Sequence, residues 1–566
     1  MFLPRVAIFI IFIIISWFAL SALYSYLDPN TEKSEEDLEE ALWIATSAYR
    51  LDRLACRWVG LCGLAHYRPE PAWQQRRRRN QQAVLTHTAA NAEHAGWGEA
   101  PPSGTLRPGD FDGDERVLKD VPQFVLDHAP LVHLYSGEQF WPSDMAEHLT
   151  HTVPCVNHTS LNSSTQYGLH NLEDLHSEAA GRYLFMKSLE DVEDRPVWLG
   201  SAYNKPIPYP DEGEDPDEEV DTYTEFAEAT AAEREPWFDP YGPKLATPLP
   251  ASSQAHQKTR KHRSLTKRSK PSGKPDPSGR SSAPAVLILI DKGNNTLDAF
   301  WFYFYSYNLG TTVLNIRFGN HVGDWEHSLI RFHKGVPKAV FFSAHSGGTA
   351  YTYDAVEKGR GKGKEGRPVL YSALGSHAMY AMPGKQPYVL PFGLLGDVTD
   401  KGPLWDPALN YYAYHFNTSL TNNAGSKVFS PNPNVDLRSS QSFRSLQVHQ
   451  SKDAFVPASR NPDAPTSWFW FKGHWGDKYY QLSDERQWRF AMQYHYVNGP
   501  FGPRYKNLGR SMVCQSGKTC RMLESIEEGK KSSWISSRSL LPEEGLVDVD
   551  PDLELVVPIR NIEIDG

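Results

Sequence analysis

The sequence predicts a mainly β protein, an antiparallel β-sandwich carried behind an N-terminal transmembrane helix and broken by disordered insertions. Three observations predict it. Residues 285–414 are filled with short aromatic and β-branched runs separated by glycine-bearing breaks, a single apolar run occupies Val6–Leu27, and residues 252–282 are rich in Lys, Arg, Ser, Pro and Gly.

The strand runs are VLILI at 286–290, FWFYFYSY at 300–307, WEHSLIRF at 325–332 and AVFFSAH at 339–345. Runs this short and aromatic, with no helical pattern between them, favour stacked antiparallel sheets over a βαβ fold. Aromatics make up 12% of the chain, and a second aromatic block, SWFWFKGHWGDKYY at 467–480, is expected to return to the same core. Shorter strand signals lie between Val121 and Tyr203, at PLVHLY and YLFM.

The run Val6–Leu27, as a helix at ~1.5 Å per residue, is roughly 33 Å long and matches the bilayer core. Arg5 precedes it, and Asp28, Glu32, Glu35, Glu36, Asp37, Glu39 and Glu40 follow, so the positive-inside bias puts the N-terminus in the cytoplasm and the rest in a lumen. The alternative is a cleaved signal peptide, with small residues at Ser21-Ala22. Sequons at Asn157, Asn162, Asn294 and Asn417 fit lumenal exposure in a single-pass protein of the secretory pathway or vacuolar membrane. So do two C-x5-C pairs, Cys56/Cys62 and Cys514/Cys520, as disulfide candidates, with Cys155 left over.

These features divide the chain into a cytoplasmic stub and anchor at 1–27, a stalk with some local helix at 28–115, a globular domain at 116–523 and a mobile tail at 524–566. The acidic stretch 211–235 and the basic stretch 252–282 place a disordered insertion at 205–283. A net charge of −10 leaves no basic face for nucleic acid.

The chemistry concentrates in Gly319-Asn320-His321-Val322-Gly323-Asp324-Trp325-Glu326-His327. In a strand Asp324 and Glu326 share one face while Trp325 and His327 share the other, and Gly323 permits a bend that returns His321 toward the carboxylates. Two carboxylates and an imidazole, with water filling the remainder, suit a divalent cation, Mg2+ or Ca2+ best. The competing reading is a pair of solvated carboxylates beside a turn. His345 and His377 also end apolar runs and are candidates for a ligand-binding rim, against the commoner role of a histidine held by a backbone carbonyl. No Gly-x-Ser-x-Gly elbow, P-loop or His-Glu-x-x-His stretch occurs, so an enzyme here would rely on a metal-activated water; a non-enzymatic role is the first reading, and a metal-assisted hydrolase of a phosphoester or glycoside, or a structural interaction module, the alternatives.

In order along the chain, HAPLVHLYSGEQFWPSD at 128–144, DAFWFYFYSYNLG at 298–310, FGNHVGDWEHSLIRF at 318–332, GRPVLYSALGSHAMYA at 366–381, KGHWGD at 472–477 and NGPFGPRYKNLGR at 498–510 make the sequence resemble the fungal vacuolar protein sorting-associated protein 62 family. The resemblance implies a role in delivering proteins to the vacuole and supplies no reaction. The stretch Tyr303–His377 is more distantly similar to the microbial necrosis-inducing cytolysins, whose His-x-x-Asp-Trp-Glu motif His321, Asp324, Trp325 and Glu326 match. That similarity implies cation-ligand roles for His321, Asp324 and Glu326 and a glycan or sphingolipid head group as partner. Gly323 stands where those proteins carry a second His, and Asn308 at best replaces an upstream Asp.

Overall fold

The computed structural model describes residues 35–67, 118–156, 158–161, 165–177, 183–200, 273–313, 316–345, 347–387, 396–420, 454–490, 492–515 and 520–528, with the single positions 16 and 97. The anchor run Val6–Leu27 apart from Ser16, the sequons Asn157 and Asn162, the insertion from 205 to 272 and the tail from 529 lie outside the described residues. Among the described residues no helix is long and apolar enough to cross a membrane.

Twelve strands build the two main sheets: β1 (Leu131–His133), β2 (Ala285–Gly293), β3 (Thr296–Asn308), β4 (His321–His333), β5 (Val336–Ala344), β6 (Gly347–Thr352), β7 (Val369–Ser372), β8 (Met379–Tyr380), β9 (Leu404–Trp405), β10 (Tyr411–Phe416), β11 (Phe455–Pro457) and β12 (Met522–Leu523). The larger sheet runs β11-β10-β2-β3-β4-β5-β6-β12, and the smaller runs β8-β7-β1-β9. The hairpin turn Asn294-Asn295 has positive φ at both positions, the two-residue geometry that matches strand twist, and Lys334-Gly335 repeats it between β4 and β5. The chain is thus mainly β, as its pattern predicts.

The sheets are not wholly antiparallel. β10 lies parallel to β2, β7 to β1 and β12 to β6. Each of these pairs joins strands far apart in sequence, and parallel neighbours need long crossover connections. Alternation within a run reveals which face is buried, but not which distant strand lies beside it.

The large sheet is buried on both faces. On one, Leu287, Trp301, Tyr303 and Phe342 pack against Val132, Leu370 and Trp405 of the small sheet. On the other, Phe302, Phe304 and Trp325 meet Trp468, Phe469 and Trp475 of the aromatic block, which does return to the core. Trp325 and Trp475 are edge-to-face at 5.4 Å between centroids, and both are fully buried. Burying a large apolar side chain of this kind stabilises the fold by roughly 2–3 kcal/mol.

Two boundaries differ from expectation. Residues 35–67, read as part of a stalk, form helices α1 (Glu35–Thr46) and α2 (Arg50–Val59) docked on the body. Glu35 pairs with Lys478 and Glu40 with Arg489, while Glu39 accepts from the Leu482 N–H at 2.6 Å. The sequence shows these glutamates as an acidic run; only the fold brings their basic partners, more than 400 positions away, beside them. Residues 273–283, read as the end of the insertion, also pack: Ser281 is buried and donates to the Gly273 carbonyl at 2.6 Å. Cys56–Cys62 and Cys514–Cys520 are disulfides, and Cys155 is a buried free thiol. Asn294 and Asn417 are both exposed.

Candidate functional site

β4 lies antiparallel to β3 with His321 opposite Asn308, Asp324 opposite Tyr305 and Glu326 opposite Tyr303. Strand alternation therefore turns both carboxylates toward the small sheet and sends Trp325 into the opposite core. The ligand face is not a solvated edge. Asp324 is 6% exposed and Glu326 4%, so the two acids sit at the polar end of a packed interior.

Each acid has a specific partner. Asp324 Oδ2 accepts from His377 Nδ1 at 2.9 Å, and the other face of that imidazole meets the Phe140 carbonyl at 3.1 Å and Glu138 at 3.7 Å. Tyr305 stacks on His377, 3.7 Å away between centroids with the two rings nearly parallel. Glu326 accepts from Ser343 Oγ, which also takes the His327 backbone N–H at 2.8 Å. Among the described residues no Lys or Arg pairs with either carboxylate.

His321 Nδ1 bonds the Gly323 carbonyl at 2.6 Å, which fixes the tautomer with Nε2 unprotonated and open to a ligand. Burial holds this imidazole below its usual range and so keeps it neutral, as a metal ligand must be. Asn308 donates one amide N–H to the Gly319 carbonyl at 2.8 Å, closing the loop between β3 and β4.

Gly323 explains the departure from the cytolysin pattern. Its φ is +71°, and a Cβ there would lie 2.4 Å from the Trp475 carbonyl. Gly476 is pressed on the same strand, with a Cβ position 1.8 Å from the Val322 carbonyl. The KGHWGD segment crosses the start of β4 at backbone contact, so no side chain fits at position 323.

The two candidate rim histidines are not equivalent. His377 is fully buried and cannot reach a ligand hydroxyl; it positions Asp324. Its side chain pays for burial, which favours the neutral form, but hydrogen bonds to Asp324 and Glu138 and their charges prevail and raise it to about 9. His345 keeps 36% of its side chain exposed and is oriented by Asp397 at 2.8 Å. Asp397 also accepts from Ser376 at 2.9 Å and Tyr380 at 2.6 Å, a network that holds its carboxyl low despite burial.

The family model for vacuolar protein sorting-associated protein 62 matches residues 295–411. Vacuolar protein sorting-associated protein TDA6 of Saccharomyces cerevisiae is 32% identical over 454 residues, 74% of this chain and 73% of the relative. The chain belongs to the vacuolar protein sorting-associated protein 62 family. Vacuolar protein sorting-associated protein 62 of the same yeast is also 32% identical, over 73% of this chain and 72% of its own length. Among solved structures, necrosis and ethylene inducing protein 2 from the causal agent of cocoa's witches broom disease is 18% identical over 19% of this chain and 54% of that one. Its TM-score of 0.14 is too low to carry an argument.

Sequence reasoning passed over Glu138, Ser343, Ser376 and Asp397 as site residues. Glu138 and Ser376 lie inside family-like segments and Ser343 inside the strand run AVFFSAH, all quoted for other features, so proximity in sequence to His345 and His377 was the available signal for Ser343 and Ser376. Asp397 reaches the site from the short hairpin Gly384–Pro387/Gly396–Thr399, which no motif marks.

The His377 pair makes stability depend on pH in this family member. A histidine whose folded pKa exceeds its unfolded value stabilises fully below about 6.5, and the contribution is lost as pH rises through about 9. In chelator-containing buffer the unfolding free energy should fall between pH 6.5 and 9, by an amount on the order of 3 kcal/mol from His377, with a smaller part in the same window from the more exposed His345, which Asp397 also raises to about 9. Urea melts across that window check it, and a flat profile would show that His377 is neutral throughout.

Proposed function

We propose that the chain serves vacuolar protein sorting as a non-catalytic binding module, with a divalent cation held by His321, Asp324 and Glu326 at a rim that takes a glycan or sphingolipid head group. The observation that carries this reading is the burial of two carboxylates, two positions apart on one strand face, with His377 as the one cationic partner of Asp324 and no Lys or Arg bridged to either acid among the described residues. A cation offsets the cost of burying like charges together. The donor set fits: each carboxylate has a second oxygen beyond its protein partner, and His321 presents Nε2. The three ligand atoms are not all within 4.8 Å of one another among the described residues, so coordination requires side-chain rotation or waters, as Mg2+ and Ca2+ sites commonly retain. When bound, the ion supplies a positive charge that a sugar or phosphate oxygen can share. His345, exposed at its edge, would hydrogen-bond the same ligand. The relatives' names support the sorting role.

The test is a glycan and sphingolipid array probed with the detergent-solubilised full chain, with and without chelator. Cation-dependent binding is expected, and His345→Ala should lose about 1–3 kcal/mol of affinity with its metal retained. A metal-loaded wild type that binds nothing on the array would sink the reading. Because an ion that binds only the folded state stabilises it, chelator should also lower the thermal midpoint, by about 2.7 kcal/mol of stability where the ion stands at a hundred times its Kd. An unchanged midpoint with no metal by elemental analysis would leave a pair of buried acids and no site.

One observation favours a second reading. Burial and the neighbouring Asp324 charge raise Glu326 to about 7, the range of a general base toward water. Metal-dependent turnover of a phosphoester or glycoside panel, abolished by Glu326→Gln, would select a hydrolase.

The topology belongs to the same proposal: Val6–Leu27 anchors the chain in a secretory-pathway membrane and the body is lumenal. Glycosidase should increase gel mobility, and carbonate should fail to extract the chain. A protease-accessible, unglycosylated body on sealed microsomes would refute it.

A further inference from the structure

Seven of the fourteen strongly exposed large apolar side chains among the described residues fall between positions 38 and 64, on and beside the docked helix pair. Such clustering on one small element marks an interaction surface, whereas scattered exposure would not. On α2, Leu51, Leu54 and Trp58 are 80%, 44% and 51% exposed. Their spacing puts them on one stripe, opposite the buried Asp52 and Cys56 that face the body. Leu38 and Leu42, 56% and 59% exposed, form the equivalent stripe on α1.

The charges around this surface separate by helix. On α1, Glu35, Glu39 and Glu40 are engaged by Lys478, Leu482 and Arg489, while Glu36 is half-buried and Asp37 exposed. On α2, Arg50, Arg53 and Arg57 border the apolar stripe; Arg50 and Arg57 are exposed, and no described carboxylate pairs with either. Apolar stripe, flanking arginines and a tryptophan are the pattern of a helix lying in the plane of a membrane interface, where guanidinium groups meet phosphates and Trp rests at head-group level.

Chain length says which surface this is. Only residues 28–34 separate the apolar run ending at Leu27 from the start of α1 at Glu35. Seven residues span at most about 25 Å at ~3.3–3.6 Å each, so a bilayer holding Val6–Leu27 lies within reach of the helix pair.

We propose that α1 and α2 form a membrane-surface foot: Leu51, Leu54 and Trp58 enter the boundary between head groups and acyl chains, and Arg50 and Arg57 bind lipid phosphates. This rests on the anchor reading of Val6–Leu27. The contacts of Glu35, Glu39 and Glu40 with the body then fix the orientation of both sheets to the bilayer, where a flexible tether would not.

The test uses the full chain in phosphatidylcholine–phosphatidylserine vesicles, carrying a nitroxide at Leu51→Cys or at Trp58→Cys, with Val336→Cys, at the start of β5, as an exposed control. Four native cysteines are in disulfides and Cys155 is buried, so labelling is confined to the introduced thiol. Flotation reports the anchor, and collision with oxygen against a water-soluble nickel chelate reports the foot. We expect flotation, and an oxygen-to-nickel accessibility ratio at 51 and 58 several-fold above that at 336. Flotation with nickel-accessible labels at 51 and 58 overturns the foot while leaving the anchor. Labels shielded from both reagents mean that protein covers the stripe, either residues 68–117 or a second copy, and this too overturns it. Failure to float overturns foot and anchor together.

Discussion

Gly323→Ala is expected to destabilise the protein by about 3–5 kcal/mol, among the largest effects of any single methyl addition in this chain. Two costs add at this position. A φ of +71° is strained for any residue with a Cβ, by roughly 1–2 kcal/mol. The added methyl would also stand 2.4 Å from the Trp475 carbonyl, which is backbone and cannot rotate aside. Gly319→Ala separates the two, since Gly319 has a φ of +87° with open space where its Cβ would be. That control should lose only the strain, about 1–2 kcal/mol. Urea melts of both variants decide the matter. Equal midpoints would mean that the KGHWGD crossing yields readily and does not dictate glycine. Gly323→His, which brings the segment closer to the cytolysin pattern, should fare worse than alanine, because a larger side chain meets the same carbonyl.

Asp324→Ala should cost about 3–5 kcal/mol in chelator, the range for removing one partner of a buried ion pair, because it leaves His377 buried beside Glu138 alone. It should also abolish divalent-cation binding measured by calorimetry. Asp324→Asn preserves the shape and an acceptor oxygen, so its stability loss should be smaller while its metal binding is still lost. The His377→Ala background distinguishes pair from site. There the cost of Asp324→Ala should shrink, since the partner is gone, and the fall in stability above pH 6.5 should be reduced to the part that His345 contributes through Asp397. Undiminished cation binding by Asp324→Ala would remove this residue from the proposed ligand set.

Much of the fold could be read from the chain because strand signals are local. The runs at 286–290, 300–307 and 325–332 fall within strands of the large sheet and that at 339–345 does so up to Ala344, and of the four positive-φ positions in the two-residue turns between β2 and β3 and between β4 and β5, all but Lys334 carry Asn or Gly. The aromatic block at 467–480 was recognisable as core for the same reason: so many large rings have nowhere else to go. The short C-x5-C spacing also marked both disulfides, since close sequence neighbours meet whatever the rest of the fold does.

The candidate site divides along the same line. Period-two alternation by itself determined that Asp324 and Glu326 share a face and that Trp325 turns away, and the structure agrees. Tertiary structure decided the rest. It buried the ligand face under a second sheet, set Glu138 and Asp397 beside the histidines, made His377 a support for Asp324 while leaving His345 at the surface, and converted part of an expected stalk into a docked helix pair. Each of these depends on which distant backbone lies next to which. Alternation and composition report the environment a residue prefers, whereas the neighbour that satisfies it is set by crossovers as long as the one from β1 to β7, and by glycine contacts as close as that between Gly323 and Trp475.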